Sequence, residues 1–145
     1  MRARLVTVAA VATSLLVAAP AQDPGIEDGS EQRALDAARE RWRDAAVETY
    51  RLRVRALCFC APRFTRPAVI RVRDGRPIDP PRRLRNVATV PRLHRVVQKA
   101  IDERVDGLTV RYGRRGVPRS VAIDAQRMLA DEEITYLVDW IRAGG

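Results

Sequence analysis

The sequence predicts a two-layer α+β domain: a mainly antiparallel five-stranded sheet carrying two helices on one face, in the order α-β-β-α-β-β-β. Three observations predict it. Two segments repeat apolar residues at helical spacing, and five others alternate apolar with polar residues. Most neighbouring strand segments are joined by links of hairpin length, which suits antiparallel pairing. Helices laid on the dry face of such a sheet make two layers around one core.

The chain begins MRARLVTVAAVATSLLVAAPAQ. Arg2 and Arg4 precede an apolar run from Leu5 to Ala18, and Ala19-Pro20-Ala21 is a small-x-small site. That order reads as a secretory signal peptide, residues 1–21, cleaved after Ala21. The run is shorter than the roughly 20 residues a spanning helix needs. The expectation is therefore a secreted or periplasmic protein, soluble and without a membrane anchor after cleavage. Residues 22–30, QDPGIEDGS, read as a flexible leader, and residues 31–143 as one domain.

The first helix is expected over 31–47, with Leu35, Ala38, Trp42 and Ala45 on one face and Asp28 or Ser30 as its cap. At Tyr50 the period changes to two. Tyr50, Leu52, Val54 and Ala56 form a dry face, and Arg51, Arg53 and Arg55 a wet one. Cys58 and Cys60 continue the inward parity unless a bulge intervenes. A second strand turns Ile70 and Val72 inward, Arg71 and Arg73 outward, and stops at the Asp74-Gly75 turn. DPPRRLRN, 79–86, reads as a loop by composition. Thr89 is placed to cap the second helix, with Pro91 in its first turn. Leu93, Val96, Val97, Ala100, Ile101 and Val105 make its apolar stripe, and Gly107 is its stop. LTVRY, RSVAID and EITYLVDWI give the last three strands, the final one with Ile134, Tyr136, Val138 and Trp140 on a common face.

These elements and motifs, taken in order, resemble an uncharacterised bacterial family of exported proteins and lipoproteins, domain of unknown function 6174. The resemblance is carried by Trp42, Tyr50, Cys58-Phe59-Cys60-Ala61-Pro62, Asp74-Gly75, Tyr112, Gly116-Val117-Pro118 and the run Asp131 to Tyr136. It implies export and a single small domain, and supplies no activity. The resemblance would place a lipid-bearing Cys after the signal in many members and an acidic residue after Tyr112. This chain has neither, with Gly113 at the second place, which argues against ion binding at that turn.

The formal charge is +9, falling to +7 if the signal leaves with its two arginines. Lys99 is the only lysine, so the basic balance is drawn almost wholly with arginine. The outward parity of Arg51, Arg53, Arg55, Arg71, Arg73 and Arg111 predicts a basic sheet face able to contact an anionic polymer or an acidic partner protein. The competing reading is a solvated face neutralised by Asp124, Asp139 and the acidic run 131–133. By parity this face holds no aromatic residue, which argues against specific nucleic-acid binding, where bases stack on interleaved rings.

Catalytic patterns are missing. There is no Gly-x-Ser-x-Gly elbow, no Gly-rich phosphate loop and a single histidine, His94. Asp131 and Glu133 would be neighbours on one strand edge, unlike the opposed carboxylates of a glycosidase cleft. Cys58 and Cys60 read as a local disulfide brace in an oxidising compartment. The alternatives are buried free thiols, a redox pair, or soft ligands for copper(I) or zinc. Zinc wants four ligands, and a lone helical His94 reads as a surface or half-buried side chain. The expectation is an exported binding or interaction module without catalytic activity, cofactor or metal. A thiol-redox or copper-handling protein built on Cys58 and Cys60 is the alternative.

Overall fold

Alternation of apolar residues with arginine builds the central strand, and the rest of the domain assembles on its dry side. The computed structural model describes residues 24–126 and 133–144. The expected signal peptide, Asp131 and Glu132 lie outside them.

The elements run α1 (Pro24–Glu27), α2 (Ser30–Asp44), β1 (Tyr50–Cys58), α3 (Pro62–Thr65), β2 (Ala68–Arg73), β3 (Arg76–Ile78), a 3-10 helix (Arg82–Val87), α4 (Val90–Asp102), β4 (Gly107–Tyr112), a 3-10 turn (Arg114–Gly116), β5 (Pro118–Asp124) and β6 (Glu133–Ala143). The strands form one antiparallel sheet in the order β3-β2-β1-β6-β5-β4. The α+β class and the antiparallel sheet agree with the sequence reading. The counts do not: the described residues form six strands instead of five, and short helices join the two long ones.

The sixth strand comes from the Asp74-Gly75 turn. Both residues have positive φ, 50° and 71°, the geometry of the tight hairpin turn that Asp-Gly favours. It folds Arg76 back opposite Arg73, so the chain does not leave the sheet after the turn. Within the segment read as a leader, Pro24–Glu27 forms a helical turn, and Ile26 packs against the core. The 79–86 stretch also departs from its expected loop. Its arginines are exposed, but Leu84 and the following Val87 are fully buried, and burying them closes the 3-10 turn.

Helices α2 and α4 lie on the inner face. Leu35, Ala38 and Trp42 of α2, and Leu93, Val97 and Ala100 of α4, join Tyr50, Leu52, Val54, Ile70 and Val72 in one core. Full burial of each branched aliphatic among them stabilises the fold by about 1.5–3 kcal/mol before entropy is counted. The helices are tied to each other through Gln98, whose Oε1 accepts from Arg39 at 2.8 Å and whose Nε2 donates to Gln32 at 2.8 Å.

Of the two long helices only α4 has a side-chain cap; the N-cap of α2 is the left-handed Gly29, not Asp28 or Ser30 as expected. The Thr89 hydroxyl accepts from Arg92 N–H at 3.2 Å, with Pro91 in the first turn as expected. The Val90 N–H, another orphan of that turn, donates to the buried Tyr50 hydroxyl at 3.0 Å. At α2, Asp28 bonds the first turn from one residue further out: it accepts from Ser30 N–H at 2.7 Å, and this bond holds its carboxyl below the usual 3.8.

His94 is buried, not half-exposed. Its Nε2–H donates to the Gly116 carbonyl at 2.8 Å. Burial, opposed by that hydrogen bond and helped by the charge of Arg39, lowers its pKa below the ordinary 6.5. The ring is therefore neutral at pH 7.

Candidate interaction surface

Strand parity places one face of the sheet away from both helices. On β1 and β2 the outward residues are Arg51, Arg53, Arg55, Arg71 and Arg73, together with the exposed Leu57 and Val69. Arg51 stands directly opposite Arg71, and Arg53 opposite Val69, which is 54 % exposed. These five arginines are brought together as the alternation predicts. Arg111 shares the face but sits on β4, separated from Arg55 by Leu137 and Ser120.

The other side of β1 holds a change of parity. Arg53 pairs with Trp140, while the next residue, Val54, pairs with Val138, leaving Asp139 as the extra residue of a bulge. Beyond the bulge every side chain of β6 changes face relative to simple alternation. Ile141 pairs with Leu52 and packs inward, whereas Trp140 and Arg142 stand on the arginine face. The expected common face of Ile134, Tyr136, Val138 and Trp140 therefore holds only as far as Val138. The expectation of a face without aromatics is overturned by the same bulge.

The result is a row of three arginines, Arg71, Arg51 and Arg142, on adjacent strands β2, β1 and β6. Among the described residues no carboxylate lies within ion-pair distance of any of them. The Arg142 guanidinium lies 4.8 Å from the centre of the Trp140 ring. Like charges directly opposite each other across strands oppose sheet formation. One row inward the charges are answered: the Asp139 carboxylate reaches Arg53 at 3.4 Å and Arg55 at 3.6 Å. The neutralisation by Asp139 that the sequence suggested is thus present for Arg53 and Arg55 and absent for Arg51, Arg71, Arg73 and Arg111, as it is for Arg142. Asp124 lies opposite Glu133 at the far end of the face and pairs with none of these arginines.

Arg142 and Trp140 are the residues sequence reasoning missed. Their signal was Asp139, a charged residue inside an otherwise apolar run, where a bulge turns a polar side chain out.

At the end of β1 the chain leaves regular geometry. Cys60 N–H donates to the Cys58 carbonyl at 2.8 Å, which makes a tight turn with Phe59 at its apex, 88 % exposed. The turn brings the two sulfurs side by side with Cα atoms 5.2 Å apart, inside the span a disulfide takes. It also ends the parity expected to carry Cys60 to the core; Cys60 is exposed. Among the described residues no group of three His, Cys, Asp or Glu is arranged to hold a metal ion. No described helix is long and apolar enough to cross a membrane.

What the geometry defines is a small α+β domain with one sheet face covered by helices and the other left open and arginine-rich. The chain belongs to the family of unknown function DUF6174, whose model matches residues 34–143. No curated protein and no solved structure matches it.

Proposed function

We propose that the protein is an exported, non-catalytic binding module whose open sheet face holds an acidic partner protein. The observation that carries this reading is the Arg71–Arg51–Arg142 row, three cations aligned across neighbouring strands without a carboxylate among the described residues. Trp140, Val69 and Ile78 stand beside the row. Arginine interleaved with apolar and aromatic side chains is the composition of a protein-binding patch, with Arg and Trp as its anchors. An anionic polymer would need only the charge. In this reading a Cys58–Cys60 disulfide braces the turn that carries Phe59 next to the face.

The test compares three probes on the immobilised protein: a peptide alternating Glu with Leu and Phe, poly-glutamate, and heparin. The acidic–apolar peptide is expected to bind most tightly, with salt-sensitive affinity, and to lose at least tenfold in an Arg51→Glu, Arg71→Glu variant. Equal binding by the variant, or no binding by any probe, overturns the reading. Tighter binding of heparin would move it to an anionic polymer.

A second reading, thiol exchange or copper handling at Cys58 and Cys60, is favoured by the exposure of Cys60 at a chain tip. It requires the pair to equilibrate with glutathione or take up copper(I), and fails if it does neither.

A further inference from the structure

Strand β6 carries a second feature on its other side. Pairing with β5 ends at Leu137 opposite Ser120, yet β6 runs on to Ala143 with β1 alone beside it. Where β5 turns away, the Arg119 guanidinium donates to the Asp139 carbonyl. A half-open cleft of about 340 Å³ fills the gap between this free stretch, the end of α2 and the 113–117 turn.

Its walls are apolar: Trp42, Val47, Val117 and Ile141. Its polar residues are cations, Arg114, Arg115 and Arg119, and no acidic side chain lines it. Among the described residues none of the three is within ion-pair distance of a carboxylate. The turn that carries Arg114 and Arg115 is firmly held, and Arg119 follows it on β5. Gly113 N–H donates to the Val117 carbonyl at 2.8 Å, and His94 holds the Gly116 carbonyl from below. Arg115 itself is kept at φ 59°, a left-handed conformation that a non-glycine residue rarely adopts. The volume is that of a small-molecule site, and apolar walls with a few convergent polar groups are the usual composition of one.

We propose that this cleft binds a small amphiphilic anion, its apolar body against Trp42, Val47, Val117 and Ile141 and its carboxylate or phosphate head on the guanidinium groups of Arg114, Arg115 and Arg119. Guanidinium is the side chain best matched to either oxyanion, through paired N–H donors. The site is separate from the arginine row, because Ile141 and Arg142 point to opposite faces of β6.

Trp42 and Trp140 are the chain's two tryptophans, so a Trp140→Phe protein reports on the cleft wall alone. Its Trp42 emission is followed during titration with octanoate, octyl phosphate and octanol, each below its micelle concentration. A saturable change with octanoate or octyl phosphate and none with octanol is expected, and whichever head group binds more tightly identifies the anion. Arg114→Gln with Arg115→Gln, both at exposed positions, should weaken that binding about tenfold or more. Ala143→Phe, which fills the cleft from its rim, should abolish it. Equal binding of octanol, undiminished binding in the double Gln variant, or no saturable change with any of the three overturns the proposal.

Discussion

Gly116 lies against the backbone of Ala38 so closely that a Cβ on the glycine would land on the Ala38 carbonyl. The same glycine has φ +74°, so a side chain there is opposed twice, by space and by backbone conformation. This contact fixes the 113–117 turn against α2. Gly116→Ala is expected to destabilise the fold by about 3 kcal/mol or more, read as a lower midpoint in urea unfolding. Gly75→Ala, also at positive φ but with open space around its Cβ position, should cost only about 1 kcal/mol.

His94 makes stability depend on pH. Its folded pKa lies below the unfolded value of about 6.5, so between the two the unfolded chain binds the extra proton. Stability is therefore full above the unfolded value and is lost as pH falls through 6.5 toward the folded pKa. Arg39 is the charged group acting on the ring, and its charge adds to the effect. His94→Gln, which keeps a donor for the Gly116 carbonyl, should remove this slope from urea midpoints measured between pH 7.5 and 5. Asp28, held low by Ser30, acts in a separate window, losing its contribution only as pH falls from near 3.8.

Tyr50 satisfies a helix end from inside the core. Its hydroxyl accepts the Val90 N–H, and its ring meets Trp42 edge-on at 5.4 Å. Tyr50→Phe keeps the ring and leaves a buried N–H without a partner. The expected loss is about 1–3 kcal/mol in equilibrium unfolding.

The arginine row should weaken the isolated domain. Arg51 stands between Arg71 and Arg142, so Arg51→Gln removes two like-charge pairings at once. It is expected to raise stability by about 0.3–1 kcal/mol at low ionic strength. The gain should fade as salt screens charges beyond about 10 Å at 0.1 M. A gain in stability accompanied by lost binding of the acidic peptide would show that the charges are kept for contact.

The cysteine turn makes a modest prediction. If Cys58 and Cys60 are bonded, intact mass shows no alkylation until reductant is added. Replacing both with serine should then cost about 1.6 kcal/mol, the chain-entropy value for so short a loop. Direct alkylation without reductant would return the pair to the thiol-exchange reading.

Some of this was legible because local chemistry left one choice. Strict alternation from Tyr50 to Ala56 cannot bury the arginines and expose the aliphatics, so β1 and its two faces followed from period alone. Thr89, Pro91 and the stripe from Leu93 likewise specified α4 and its start. Leu84 and Val87 were not legible among arginines and prolines, since two apolar residues define no period. Their burial depends on the floor that α4 and β1 provide.

The sequence by itself determined the fold class, the basic wet face of β1 and β2, and the Thr89 cap of α4. Each depends on neighbours close in the chain, where side-chain period and capping chemistry act. Only the tertiary structure decided that Trp140 and Arg142 complete the arginine face. It alone also placed His94 beneath Gly116 and opened a cleft where β6 outruns β5. Those outcomes rest on register between distant strands, and one bulged residue at Asp139 reverses every side chain that follows it.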